Sequence, residues 1–133
     1  MREILFRGKR PNGQWVQGDL TLYRIDEKVT SKISFYQTRA TLNGLKTATY
    51  TDEVIPETIG QYTGLTDDND NKIFEGDIVK CFSSDYIGNP KINLIKVEDM
   101  TDYNTMVYLN CSDRLVIIGN THDNPELLKE REG

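Results

Sequence analysis

The feature that most constrains this chain is its punctuation. Short runs rich in Ile, Val, Phe, Tyr and Thr are broken at close intervals by Gly, Pro, Asn and Asp. That spacing favours antiparallel strands joined by tight turns. Residues 3–10 and 14–23 flank Pro11-Asn12-Gly13. There Pro presets φ, and Asn and Gly tolerate positive φ, so a hairpin is predicted. A third strand is expected over 29–38, and Asn43-Gly44 turns the chain into a fourth over 45–50. An acidic connector over 51–57 contains Pro56, and a strand resumes over 58–62. After a polar turn at 66–71, strands are expected over 72–82, 91–97, 105–111 and 115–119, with a loop at 83–90. Leu115-Val116-Ile117-Ile118 is apolar on both faces, which reads as a buried strand.

One helix is predicted near the C-terminus. Asp123 or Asn124 caps it, Pro125 fits its first position, and Glu126 suits its first turn. The expected fold is all-β, with short antiparallel strands in a barrel-like or sandwich arrangement and that one short C-terminal helix. The 133 residues suit a single domain over 1–133. Only residues 129–133 read as a disordered tail.

Charge is uneven along the chain. Residues 1–50 hold nine Lys/Arg against four Asp/Glu, and residues 51–133 hold seven against seventeen. The net charge of −5 argues against non-specific nucleic-acid binding, which requires phosphate neutralisation. The basic first part suits a polyanion or the acidic part of another copy; equally, folding mixes the charges over one surface. No apolar run is long enough for a bilayer span, and no export signal is seen at Met1. The expectation is a cytoplasmic protein of a bacterial host, with no membrane partner. Cys81 and Cys111 then read as free core thiols rather than a disulfide.

Two stretches echo each other. Phe6-Arg7-Gly8 leads to Asn12-Gly13-Gln14-Trp15-Val16-Gln17-Gly18-Asp19-Leu20. Tyr62-Thr63-Gly64 leads to Asp70-Asn71-Lys72-Ile73-Phe74-Glu75-Gly76-Asp77-Ile78. Gly13 and Asn71 stand equally far before Gly-Asp, and both tolerate positive φ. Either one hairpin device is used twice, bending at Gly-Asp, or two hairpins draw on the same few turn residues. Under the first reading Asp19 and Asp77 are architectural carboxylates.

Three blocks carry a family likeness. They are Ile4-Leu5-Phe6-Arg7-Gly8-Lys9-Arg10 with Gly13-Gln14-Trp15-Val16-Gln17-Gly18, then Ile59-Gly60-Gln61-Tyr62-Thr63-Gly64-Leu65 with Ile73-Phe74-Glu75-Gly76-Asp77-Ile78-Val79, and finally Val116-Ile117-Ile118-Gly119-Asn120 with His122-Asp123-Asn124-Pro125-Glu126-Leu127-Leu128. Together they closely resemble the YopX family of phage and prophage proteins. Asn71 stands where that family usually has Gly, a departure that positive φ tolerates. The resemblance implies a mostly β subunit encoded by a phage or prophage, and it supplies no activity. Residues 22–50 and 82–103 match no block.

Chemistry is sparse. Asp67, Asp68, Asn69, Asp70, Asn71 and Glu75 invite a calcium reading, but neither EF-hand register fits. Starting from Asp67, Lys72 takes the Gly position and Ile78 the Glu position. His122 is the only histidine and sits among turn residues. No nucleophile elbow, phosphate loop or zinc spacing is present. These observations predict no catalytic residue, metal or cofactor, and no enzyme. Arg2, Arg7, Lys9 and Arg10 lie near Phe6 and Trp15 on the first hairpin. Arg7, Lys9 and Arg10 are therefore the candidate nucleic-acid contacts, although Phe6 and Trp15 most simply point inward. The first expectation is a phage or prophage accessory protein acting through protein contacts, as a homo-oligomer or with a host or phage protein. Its contact residues are expected in 22–50 and 82–103 rather than in the motif blocks.

Overall fold

A computed structural model of the chain describes residues 3–128. Arg2 and the expected tail at 129–133 lie outside the described residues. The chain divides into two compact units, one over Glu3–Gln61 and one from Tyr62 onward.

In the first unit, β1 (Phe6–Lys9), β2 (Trp15–Ile25), β3 (Lys28–Thr41) and β4 (Gly44–Glu53) form an antiparallel sheet in the order β4-β3-β2-β1. β1 pairs on its other side with Gly60 and Gln61, which open β5 (Gly60–Thr66). Side chains alternate between faces along each strand. Val16, Leu20, Ile33 and Phe35 fall on the core face with Phe6, and Val54 and Ile59 complete the cluster. Burial of Val16, Ile33 and Val54 contributes about 1.5–3 kcal/mol each. Gly18 is demanded by this packing: a Cβ there would lie 2.0 Å from the Ser34 carbonyl oxygen.

The strands overlap only partly. β2 pairs with β3 from Asp19↔Ser34 to Ile25↔Lys28, and β3 pairs with β4 from Lys32↔Glu53 to Thr41↔Gly44. All three lie side by side only around residues 32–34 of β3, and beyond that each end is a two-stranded ribbon. The connector expected over 51–57 is shorter, because β4 continues to Glu53; a single 3-10 turn follows at Pro56–Thr58, tied to β1 by Lys9 N–H donating to Thr58 Oγ1 at 2.8 Å.

In the second unit, β5 pairs with β6 (Lys72–Phe74) across a bulge. β7 (Asp77–Ser84), β8 (Pro90–Lys96) and β9 (Arg114–Asn120) form an antiparallel sheet in the order β8-β7-β9. Ile73, Val79, Cys81, Ile95, Val97, Leu109 and Leu115 form its core. The strand expected over 72–82 is two strands. Gly76 at φ +92 breaks it, and buried Asp77 closes the turn by accepting from Phe74 N–H at 2.8 Å. The loop expected over 83–90 is a tight hairpin between β7 and β8.

The architecture is the expected mostly-β one, in open antiparallel sheets rather than a closed barrel. Two further expectations fail. Residues 105–111 are helical: α1 spans Tyr103–Cys111. Asp102 caps it, its side chain accepting from Thr105 N–H at 3.0 Å, and Thr105 and Leu109, four apart, bury one face. The cap overrides the β-prone Thr-Met-Val-Tyr sequence. β9 is also less buried than its apolar run suggests, since Leu115 is buried but Ile118 is 37% exposed. The predicted C-terminal helix begins as expected, with residues 126–128 helical; its expected continuation lies outside the described residues.

Candidate functional site

The first hairpin divides its three candidate cations between two faces. Arg7 and Lys9 lie on the face opposite the core, both over Trp15, with the Arg7 guanidinium carbon 4.9 Å and Lys9 Nζ 6.0 Å from the ring centroid. Such contacts are worth about 0.5–1 kcal/mol at exposed sites. Trp15 is half-buried beneath them rather than inside the core as expected, because its register places it beside Lys9 on the outer face. Phe6 does turn toward the core. Arg10 falls on the core side. Its Nε lies 3.4 Å from Asp52 Oδ2, and its Nη1 donates to Gln14 Oε1 at 2.8 Å. The structure therefore joins Arg7 and Lys9 and separates Arg10 from them. The outer face continues with Lys32 5.0 Å from the Tyr23 ring centroid, a pair missed from sequence. The signal for it was present: one residue of alternation separates Tyr23 from Thr21, which is Lys32's cross-strand partner.

The acidic turn is structural. Asp67 Oδ1 accepts from the N–H groups of Asn69 and Asn71, both at 2.9 Å. Asp67 Oδ2 accepts from Ile117 N–H at 3.1 Å and Asn71 Nδ2 at 3.4 Å. Burial pushes the Asp67 carboxyl up, but these donors outweigh it and hold it below the usual carboxylate range. Asp68 is held below that range by the Arg114 side chain, 2.8 Å away, and by Leu115 N–H at 3.3 Å. The two carboxylates thus bond to the outer edge of β9.

His122 is exposed in the turn after β9, and its N–H donates to Asn120 Oδ1 at 3.0 Å. Cys81 and Cys111 are not joined in a disulfide. Cys81 is in the core, but Cys111 is exposed at the end of α1, contrary to expectation, because residues 105–111 are helical. A cleft of about 350 Å³ at the start of α1 is lined by Lys96, Glu98, Asp102 and Tyr108 among others. Lys96 Nζ lies 3.5 Å from Glu98, and Asp102 is spent on the helix cap.

Apolar exposure is the stronger signal. Of the fourteen exposed large hydrophobic residues among those described, seven lie in 22–50 and four in 82–103. Leu22, Ile25, Tyr36, Leu42 and Leu45 are each more than 60% exposed on the ribbons of β2, β3 and β4. Tyr86 and Ile87 occupy the β7–β8 turn. Both stretches lie outside the three motif blocks quoted from the sequence. Among the described residues, no helix is long and apolar enough to cross a membrane.

Comparison with known proteins places this fold. The crystal structure of protein EF1440 from Enterococcus faecalis matches with a TM-score of 0.52 at 21% identity, over 96% of this chain and 99% of that one. None of the curated proteins matches. The family model for YopX protein matches residues 5–129, nearly the whole chain. The chain therefore belongs to the YopX family.

Proposed function

We propose that this protein is a non-catalytic phage or prophage accessory component that acts by binding protein, in the first place another copy of itself. The observation that carries this reading is the apolar exposure on the β2–β3–β4 ribbons. Two-stranded ribbons are marginal in water, and apolar side chains left exposed along them suit a partner. Further partners are a host or phage protein in the cytoplasm, where the β7–β8 turn offers a second apolar tip. Light scattering after gel filtration, at low and high salt, tests the self-association. A defined oligomer that persists in high salt is expected, as for an interface with apolar content. A monomer at the highest attainable concentration refutes it.

A second reading has one observation in its favour: Arg7, Lys9, Trp15, Lys32 and Tyr23 share the outer face of the first unit. Alternating cations and aromatics suit a single nucleic-acid strand. Its test is salt-sensitive binding to oligonucleotides that weakens in Arg7→Gln and Lys9→Gln. Arg10→Gln serves as the contrast, since Asp52 already engages that side chain.

A further inference from the structure

A sheet edge is a row of unpaired N–H and C=O groups, and proteins close such edges with proline, charge, bulges or covering segments. In the second unit the edge of β9 is closed by Asp67 and Asp68. β4 is the terminal strand of its sheet, and although it carries Lys46, Asp52 and Glu53, no proline or bulge interrupts it. It runs ten residues, Gly44–Glu53, without proline, and Leu45, Thr47, Thr49, Thr51 and Glu53 are all exposed. The direction of its backbone groups follows from the ladder. Val54 N–H donates to the Ser31 carbonyl at 3.0 Å, in register with Lys32↔Glu53. Bonded and non-bonded pairs alternate in an antiparallel ladder. Even-numbered β4 residues therefore bond toward β3, and odd-numbered ones turn N–H and C=O outward.

We propose that this edge is covered by β4 of a second copy, antiparallel and centred on Thr49, so that the two sheets become one. The proposal rests on the self-association reading and names its surface. Two independent features select the register. Odd residues must face odd residues for their outward groups to bond, and a centre at Thr49 pairs Thr49 with itself, Thr47 with Thr51 and Leu45 with Glu53. The charges obey the same symmetry. Lys46 and Asp52 stand equally far from Thr49, with only uncharged residues between them, so each Lys46 falls opposite Asp52 of the other copy. Sliding by one bonding repeat puts Lys46 opposite Tyr50 or Val54 and loses both pairs. Within its own sheet Lys46 is opposite Arg39, a like charge, and it makes no ion pair among the described residues. Asp52 Oδ2 lies 3.4 and 3.5 Å from Arg10 and Arg39, so Lys46 of a second copy would share that carboxylate with them.

Thr49→Pro is the selective probe, because it deletes an outward N–H and leaves the β3 ladder whole. With the far-ultraviolet spectrum unchanged, it should weaken dimerisation about thirty-fold, the loss of two hydrogen bonds across the dyad. Lys46→Glu should weaken it about tenfold at low salt and less at high salt. In a Cys111→Ser background, Thr49→Cys should give a disulfide-linked dimer under mild oxidation, whereas Thr47→Cys, whose dyad mate is Thr51, should not. An oligomer that survives Thr49→Pro and forms no Thr49→Cys link overturns the edge assignment and leaves self-association standing. Linking through Thr47→Cys instead overturns the register. A wild-type monomer overturns both the assignment and the reading beneath it.

Discussion

The edges of β4 and β9 present the same backbone chemistry and meet opposite fates. β9 offers the N–H groups of Leu115 and Ile117, and carboxylates from the turn at 67–71 accept both. Asp68 N–H returns a bond to the Leu115 carbonyl at 2.9 Å. The turn therefore stands in for a neighbouring strand. β4 offers five outward residues and receives nothing comparable from its own unit. The difference teaches what the acidic cluster is for. Its charge looks like a ligand set in one dimension, but in three it is an edge closure, in which two carboxylates accept strand N–H groups and Asp68 N–H returns one bond. A carboxylate suits that role because it accepts several N–H groups at once and donates to none.

Breaking the closed edge should produce the largest effect. Asp67→Ala removes the acceptor from three backbone N–H groups, one of them on β9, at a site only 5% exposed. Leaving such donors unpaired costs about 3 kcal/mol in total. Urea unfolding should show a midpoint shift of that size, and amide exchange should show loss of protection at Ile117. A shift under about 1 kcal/mol would mean that water replaces the carboxylate and that the edge is not sealed.

The next effect concerns the two Gly-Asp pairs. Asp77 is buried and closes the Gly76 turn through Phe74 N–H. Asp19 is exposed in mid-strand opposite Ser34. Asp77→Ala should cost about 2 kcal/mol and Asp19→Ala under about 0.5. Equal costs would restore the idea of one bend used twice.

The same contrast shows how far the sequence was legible. Turn chemistry located the hairpins well, because Pro-Asn-Gly and Asp/Asn-rich turns specify local backbone directly. The echo between residues 6–20 and 62–78 pointed to a shared turn, but with its phase misplaced by one. Residues 10–14 and 67–71 close alike: the first N–H donates to the fifth carbonyl, and the fourth N–H to the first carbonyl. The fourth residue has positive φ, at Gly13 and at Asp70 rather than Asn71. Residues 85–89 repeat the pattern, with Gly88 at φ +89. Aligning on Gly-Asp hid this, because those pairs sit differently: Gly76 has positive φ, and Gly18 is there for its close approach to Ser34. α1 was misread because Thr105, Val107 and Tyr108 give a β-prone local sequence to a helix that Asp102 caps. The candidate cations were half legible. Alternation puts Arg7 and Lys9 together, but Arg10's pull toward Asp52 is a contact 42 residues away that no local pattern encodes.

Acid should loosen the closed edge. The Asp67 and Asp68 carboxyls are held below their ordinary value, so each binds protons less readily folded than unfolded. Their contribution is complete above the unfolded pKa, about 3.9, and is lost as pH falls through the lower folded value. Unfolding midpoints between pH 5 and pH 2 should fall, and Asp67→Asn should flatten that fall. An unchanged slope in Asp67→Asn would place the acid sensitivity elsewhere, with Asp85 and Asp99 as the next carboxylates to test, since Asn89 and Thr101 hold them low.

The smallest effect separates the backbone part of the closure from its charge. Arg114 Nε lies 2.8 Å from Asp68 Oδ2, but the side chains are 65% and 36% exposed. Exposed pairs of this kind contribute little to stability and are screened by salt. Arg114 also lies 5.3 Å from the Phe82 ring centroid, a contact that salt screens less than the ion pair. Arg114→Gln should therefore lower the urea midpoint only slightly, and less at high ionic strength than at low, with amide protection at Leu115 and Ile117 retained. If that protection disappears with Arg114, the closure depends on the ion pair that positions Asp68 rather than on the carboxylate–backbone bonds. The difference between the β9 and β4 edges would then be one of charge.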